Sequence, residues 1–262
     1  MASSRVSRSP SVPFFSGLLA LAVIAGALPS QDPGLRGHGA RPEEAHAKKA
    51  QDADAPERSK RPKDVRALFA QFAAMRGMSA TYTEQKHLSL LAVPLHSSGA
   101  LHYMTDEDGR HGRLVRVVEK PEPSKLTVTE KELRIADKRG TEVIDLRQSD
   151  RVRLFVTSLM RVFQGDGEAL RRHYEVRYAH EGERGARWRL ELTPKKAPLD
   201  KILKRLALHG DGAAVTRIVL TEPNGDRTVT AIEKADPRRV FTKQEQRELF
   251  GVQPAAPKPS GK

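Results

Sequence analysis

Met78-Ser79-Ala80-Thr81-Tyr82-Thr83 sets larger apolar side chains at alternate positions, with small hydroxyls between them. A period of two sends successive side chains to opposite faces, so this stretch reads as a strand with one face buried. Just before it, Val65, Leu68, Phe69 and Phe72 recur at i, i+3, i+4 and i+7. That spacing lays one apolar stripe along a helix, and Gly77 is placed to stop it. The chain therefore enters its folded part as a helix and switches to strand periodicity within a few residues.

Downstream the strand pattern repeats. Gly99-Ala100-Leu101-His102-Tyr103-Met104, Leu114 to Val118, Leu126-Thr127-Val128 and Leu133-Arg134-Ile135 are separated by Asp108-Gly109, Pro121-Glu122-Pro123 and Lys138-Arg139-Gly140. These separators are turn chemistry. A second helix is expected over Arg151 to Phe163, where Val152, Phe155, Val156, Leu159, Met160 and Phe163 form a wide apolar face and Gly165 ends the run. After a helical turn at Gly167 to Arg172, strands are expected at Tyr174 to Tyr178, Trp188 to Leu192, Leu206 to His209, Val215 to Thr221 and Thr228 to Lys234. The last two flank Pro223-Asn224-Gly225-Asp226, and Asn-Gly is a strong hairpin signal. A polar helix over Lys243 to Phe250 closes the set. About nine or ten strands joined by hairpins, with two substantial helices, make an antiparallel α+β domain.

Outside that domain the composition changes. Arg5 and Arg8 precede the apolar run Phe14 to Ala27, FFSGLLALAVIAGA, which ends in the small-residue pattern Ala25-Gly26-Ala27. A basic start, a short apolar core and an A-x-A site describe a secretory signal over residues 1–27. Residues 28–61 are rich in Gly, Pro, Ala and charge without apolar periodicity, and read as a disordered linker. The tail 253–262, QPAAPKPSGK, reads the same way, which leaves 62–252 as the folded unit. An exported chain of this kind is expected in the periplasm, free of the membrane once its leader is cleaved.

The formal charge is +13, and removing Arg5 and Arg8 with the leader leaves +11. Such a field favours acidic partners, and transient contact with a membrane surface is among them. There are no cysteines. Disulfides, thiol chemistry and a lipid-anchoring cysteine are thereby excluded. No catalytic motif emerges: there is no G-x-S-x-G elbow, no H-E-x-x-H and no phosphate-cradling glycine loop. His87, His96, His102, His111, His173, His180 and His209 are scattered over different expected elements, without the three or four convergent ligands zinc requires. The run Asp106-Glu107-Asp108 before Gly109 reads as a solvated loop tip. Aromatics make up 5% of the chain, too few to interleave with its evenly spread basic residues as a nucleic-acid surface demands. No enzyme, metal, cofactor or nucleic-acid partner is expected.

A curved antiparallel sheet with an amphipathic helix over its concave face can enclose a pocket, and residues 152–163 are the candidate lid. The order of pieces carries more. Met78-Ser79-Ala80-Thr81-Tyr82-Thr83-Glu84-Gln85-Lys86 follows the first helix and precedes Ser98-Gly99-Ala100-Leu101-His102-Tyr103. Later come Val162-Phe163-Gln164-Gly165-Asp166, then Trp188-Arg189-Leu190-Glu191-Leu192-Thr193-Pro194, then the Asn224-Gly225-Asp226 hairpin. Over about residues 63–250 this order resembles the periplasmic outer-membrane lipoprotein carriers of the LolA type, in particular their divergent relatives.

The resemblance implies an incomplete antiparallel β-barrel, with helices covering its concave face around an apolar cavity for acyl chains. It implies a non-enzymatic monomer that takes an acylated lipoprotein or lipid from an inner-membrane release complex to an outer-membrane acceptor. The cavity side chains expected on that basis are Phe72, Tyr82, Leu101, Tyr103, Val128, Leu159, Met160, Phe163, Trp188 and Leu190. Carriers of this family tie the lid shut through a basic residue on the third strand. The matching stretch here is His111-Gly112-Arg113-Leu114-Val115-Arg116, without the family's Arg-Pro, so Arg113 and Arg116 are both candidates. Envelope-stress regulators use a similar half-barrel, and a lipid-sensing regulatory module is the alternative.

Overall fold

The computed structural model describes residues 62–106, 108–109, 111–181 and 187–252. The expected leader, linker and tail lie outside the described residues, as does Glu107 of the acidic run.

The first helix, α1 (Val65–Ala73), begins where the Asp64 side chain accepts a hydrogen bond from the Ala67 amide at 2.8 Å. It buries Leu68, Phe69 and Phe72. Six strands follow as successive hairpins: β1 (Gly77–His87), β2 (Leu95–Thr105), β3 (Gly112–Lys120), β4 (Ser124–Val128), β5 (Glu132–Asp137) and β6 (Gly140–Asp145). Two helices, α2 (Asp150–Phe163) and α3 (Gly167–His173), then lead to β7 (Tyr174–Glu181). The remaining elements are β8 (Arg187–Pro194), β9 (Arg205–Asp211), β10 (Ala214–Thr221), β11 (Arg227–Asp236) and α4 (Lys243–Phe250).

All eleven strands form one antiparallel sheet in the order β6-β5-β4-β3-β2-β1-β11-β10-β9-β8-β7. The first strand pairs with the last, Tyr82 opposite Ile232, so two wings of hairpins meet at the middle of the sheet. β6 and β7 are its two edges and are not joined to each other; α2 and α3 connect them. This is an open, incomplete barrel.

The sequence reading underestimated the strands in two places. β6 was not expected, because its side chains are mostly exposed on both faces and only Ile144 packs against the core. An edge strand with one buried residue has no period-two signal. β2 also starts earlier than Gly99, at Leu95, where Leu95 and His96 are exposed and Ser97 and Ser98 half-buried, so no alternation is there to read.

Inward-facing side chains from both wings join α1 and α2 in one core. Its joint is aromatic: the Phe72 ring lies 6.5 Å from Phe163 and 5.9 Å, edge-on, from Trp188, and Phe163 lies 5.2 Å from Tyr103. α2 starts at Ser149, whose hydroxyl accepts from the Val152 amide, and buries Val152, Phe155, Val156, Leu159, Met160, Val162 and Phe163. It ends at Gly165, in the left-handed region at φ 72°. A Cβ there would also come within 2.2 Å of the Phe69 carbonyl oxygen, so the glycine lets α1 and α2 approach closely. α4 does not share the concave face. Its Phe250, with Phe241, packs on Met104 and Val115 on the opposite side of β2 and β3, and Thr242 with Glu245 form its capping box. No helix among the described residues is long and apolar enough to cross a membrane.

The sheet's curvature has a marker in β2. Its register with β3 shifts between Ser98 and Gly99, and a Cβ on Gly99 would lie 1.9 Å from the Val117 carbonyl oxygen. Gly99→Ala is expected to destabilise the domain by about 1–3 kcal/mol through forced separation of the strands. A thermal melt followed by circular dichroism checks this, and an unchanged midpoint would show that the strands can part freely.

Candidate functional site

A cavity of about 100 Å³ remains between α1, α2 and the concave face of the sheet. Phe72 and Met75 bound it from the α1 side, and Phe155, Leu159 and Phe163 from α2. Met78, Leu101 and Leu114 come from β1 to β3, and Leu206, Val215, Ile218, Leu220 and Ile232 from β9 to β11. Ligand pockets usually measure about 300–1,000 Å³. The hollow is therefore largely filled by the protein's own side chains, and a long acyl chain fits only if α2 or the flexible Met75 and Met78 side chains give way.

The ten expected cavity residues divide into two groups. Phe72, Leu101, Leu159 and Phe163 line the hollow. Tyr82, Tyr103, Val128, Met160, Trp188 and Leu190 are buried in the surrounding core, where Tyr103 packs on Phe163 and the Trp188 indole N–H donates to the Gly212 carbonyl at 2.9 Å. Burial pushes the Tyr103 phenol well above its ordinary range. Sequence reasoning missed the whole β9–β11 contribution. Leu206, Ile218, Leu220 and Ile232 alternate with outward residues on their strands, but that wing's proximity to α2 follows only from the β1–β11 pairing. Met75 continues the stripe of α1 at i+3 from Phe72, but lies just past the helix end in the α1–β1 link.

The hollow is not apolar throughout. The inward row of β1 runs Met78, Ala80, Tyr82, Glu84, Lys86, all buried, and so passes from carbon to charge along one strand. Arg116 of β3 donates through Nη2 to Glu84 Oε1 at 3.1 Å and to Ser97 Oγ at 3.0 Å. Its guanidinium lies over the Tyr82 ring, 4.5 Å from the centroid. The second Glu84 oxygen accepts from Thr230 Oγ1 at 2.9 Å. Beyond this pair Lys86 Nζ stands 3.9 Å from Glu222 Oε1, both buried, and burial pushes the Glu222 carboxyl up against the pull of Lys86. Glu84, Arg116, Thr228 and Thr230 thus give the cavity one charged and hydroxylated end.

The two candidate arginines face opposite ways. Leu114 and Arg116 point into the hollow, whereas Arg113 is on the other face and reaches the Phe250 carbonyl at 3.5 Å. The histidines are dispersed. His102 packs edge-on against Phe241 and bonds Ser79, and its pKa is lowered by burial; His111 meets Glu130 and His209 meets Glu181. Among the described residues no three His, Cys, Asp or Glu side chains are grouped to hold a metal ion.

Comparison with known proteins gives a family match and distant structural likenesses. Residues 57–244 match the family model described as "Outer membrane lipoprotein carrier protein LolA-like". No curated protein sequence matches the chain. Among solved structures, a DUF1329 family protein from Desulfovibrio piger is 12% identical with a TM-score of 0.43, over 72% of this chain and 96% of that one. A putative outer membrane lipoprotein-sorting protein domain from Vibrio parahaemolyticus is 8% identical, TM-score 0.41, over 68% and 92%. The Pseudomonas aeruginosa MucA/MucB complex gives 14% identity and a TM-score of 0.40 over 69% of this chain and 59% of that one.

The Glu84–Arg116 pair makes a sharp prediction about stability. Removing one partner of a buried ion pair strands the other, which costs about 3–5 kcal/mol, while replacing both by apolar side chains is often nearly neutral. Arg116→Met is expected to lose stability in that range in urea unfolding. Arg116→Met with Glu84→Leu should recover most of the loss; a double variant as unstable as the single one would show that the pair is not a closed unit.

Proposed function

The chain belongs to the family of LolA-like outer membrane lipoprotein carriers, and from that membership we propose that it is a non-enzymatic periplasmic carrier of an acylated lipoprotein or lipid. It accepts its cargo at the inner membrane, shields the acyl chain beneath α2 and yields it to an acceptor at the outer membrane. The observation that carries this reading is the carbon-lined hollow between α2 and the β9–β11 wing.

Burying an acyl chain is worth about 0.8 kcal/mol per CH₂, on the order of 12 kcal/mol for a C16 chain. No such chain crosses an aqueous space at a useful rate unless something covers it. A carrier must also release it, which argues against a deep preformed pocket. A small hollow that enlarges when α2 lifts meets both needs, because cargo and lid compete for the same apolar surface. The lid's own apolar face recovers that surface when the cargo leaves. Leu159 and Phe163 on α2, with Phe72 and Leu101 opposite, make the first contacts, and side chains of the surrounding core shift as the chain enters. The charged end at Glu84 and Arg116 repels hydrocarbon and limits how far the chain runs. Of the two candidate arginines, Arg116 is the one that faces the hollow, held there by Glu84 and Ser97 of the sheet.

Native mass spectrometry of the protein purified from a bacterial periplasm is expected to show co-purified lipid. A fluorescent fatty acid should bind saturably and be displaced by lipid, and Leu159→Arg or Val215→Phe should each weaken it at least tenfold without changing the circular dichroism spectrum. Absence of saturable binding would sink the carrier reading. Recovery of a transmembrane regulator, rather than lipoproteins, in a pulldown would favour the sensing module.

A further inference from the structure

Six large apolar side chains are exposed among the described residues, and four of them fall within residues 90–95: Leu90 at 94%, Leu91 at 46%, Val93 at 70% and Leu95 at 39%. Leu90, Leu91 and Val93 lie in the connection between β1 and β2, and Leu95 opens β2. Singly exposed apolar residues need no explanation, but a contiguous group of them does. The loop is also held in place. The Ser89 amide donates to Asp226 Oδ1 at 2.8 Å, tying the loop to the β10–β11 turn, and the Leu91 amide donates to the Leu88 carbonyl at 3.0 Å. Asp226 is itself fixed by Asn224, whose side-chain amide donates to its other oxygen at 2.9 Å. A braced tip that displays aliphatic side chains is built to meet something.

Charge around the tip indicates what. No carboxylate occurs between Gln85 and Thr105, and His87 and His96 flank the tip in exposed positions. The neighbouring ends of β3, β11 and β9, with the 195–204 connection, reach the same end of the sheet. They expose Lys120, Lys196, Lys201, Lys204 and Arg227, against Glu119 and Asp200. Aliphatic residues that enter the hydrocarbon boundary, surrounded by cations that meet phosphates, are the composition of an interfacial membrane anchor. A protein interface would call for about 800 Å² per partner and a share of aromatic side chains, and this loop has no aromatic residue.

We infer that the β1–β2 loop inserts Leu90, Leu91 and Val93 into the surface of a bilayer containing anionic phospholipid, docking this end of the sheet on the membrane. The inference does not depend on what the cavity holds. It gives the chain a reversible membrane contact of its own, distinct from any receptor.

The absence of cysteine makes the test clean. Ala92→Cys in the otherwise unchanged chain, labelled with the polarity-sensitive dye NBD, is expected to shift to the blue and brighten with phosphatidylglycerol-containing vesicles, and much less with phosphatidylcholine alone. The same dye on Asp211→Cys, at the far end of the sheet, should not respond. In flotation of unlabelled protein, Leu90→Ser with Val93→Ser should raise the lipid concentration for half-binding at least tenfold, while affinity for a fluorescent fatty acid is unchanged. A silent label at position 92, equal responses at 92 and 211, or a double-serine variant that floats as well as its parent would each overturn the inference. So would a label that ignores vesicles but responds to a purified periplasmic protein.

Discussion

An antiparallel sheet of eleven strands that does not close on itself leaves one whole concave face to be covered from elsewhere in the chain. That requirement governs the rest of the structure. The covering element must be apolar over much of its circumference, because it meets both wings, and α2 is: seven large apolar side chains of its fourteen residues are buried. It must also be anchored where the sheet's edges leave off, and it lies in the chain between β6 and β7, the two edges. A helix meeting those conditions covers the concave face and fills its core at once. Hydrogen bonds hold neighbouring strands together, whereas α2 meets the sheet through buried apolar side chains.

The ionic end of the hollow is the counterpart of this arrangement. Four charged side chains, Glu84, Lys86, Arg116 and Glu222, are buried on the same face that elsewhere carries Leu, Phe and Ile. Desolvating them is costly unless they satisfy one another, and Glu84 and Arg116 do so through Ser97 and Thr230. The polar set fixes strand register from inside, since a one-residue slip of β1 would point Glu84 and Lys86 away from their partners. It also confines the hydrocarbon-like volume to the stretch beneath α2.

Much of this was legible in the sequence, and the parts that were not share a cause. The amphipathic pattern of α1 and α2, the alternation in β1 and the Asn224-Gly225 turn are local signals, and each stands in the structure where the pattern put it. The order of the pieces carried the family. What local pattern cannot supply is which strands are neighbours: β1 meets β11 across most of the domain, and that pairing alone brings Ile218, Leu220 and Ile232 beneath α2. β6 escaped notice because an edge strand with two wet faces has no alternation to read. The two arginines could have been separated beforehand, since Arg116 shares parity with Leu114 and Arg113 does not, but only once β3 is accepted as a strand with its leucine inward.

The pairing of the first strand with the last has a consequence for how the molecule is made. β11 lies beside β1 in the middle of the sheet, yet it is the last of the described strands along the chain. A nascent or clipped chain ending before Arg227 would lack its keystone rather than a dispensable margin, and the two wings would have no seam to join them. Contacts so distant in sequence close slowly, so the facing edges of the two wings stay exposed to aggregation and proteolysis until β1 and β11 meet. Only a chain that carries residues 227–236 can join its two wings and so possess an interior.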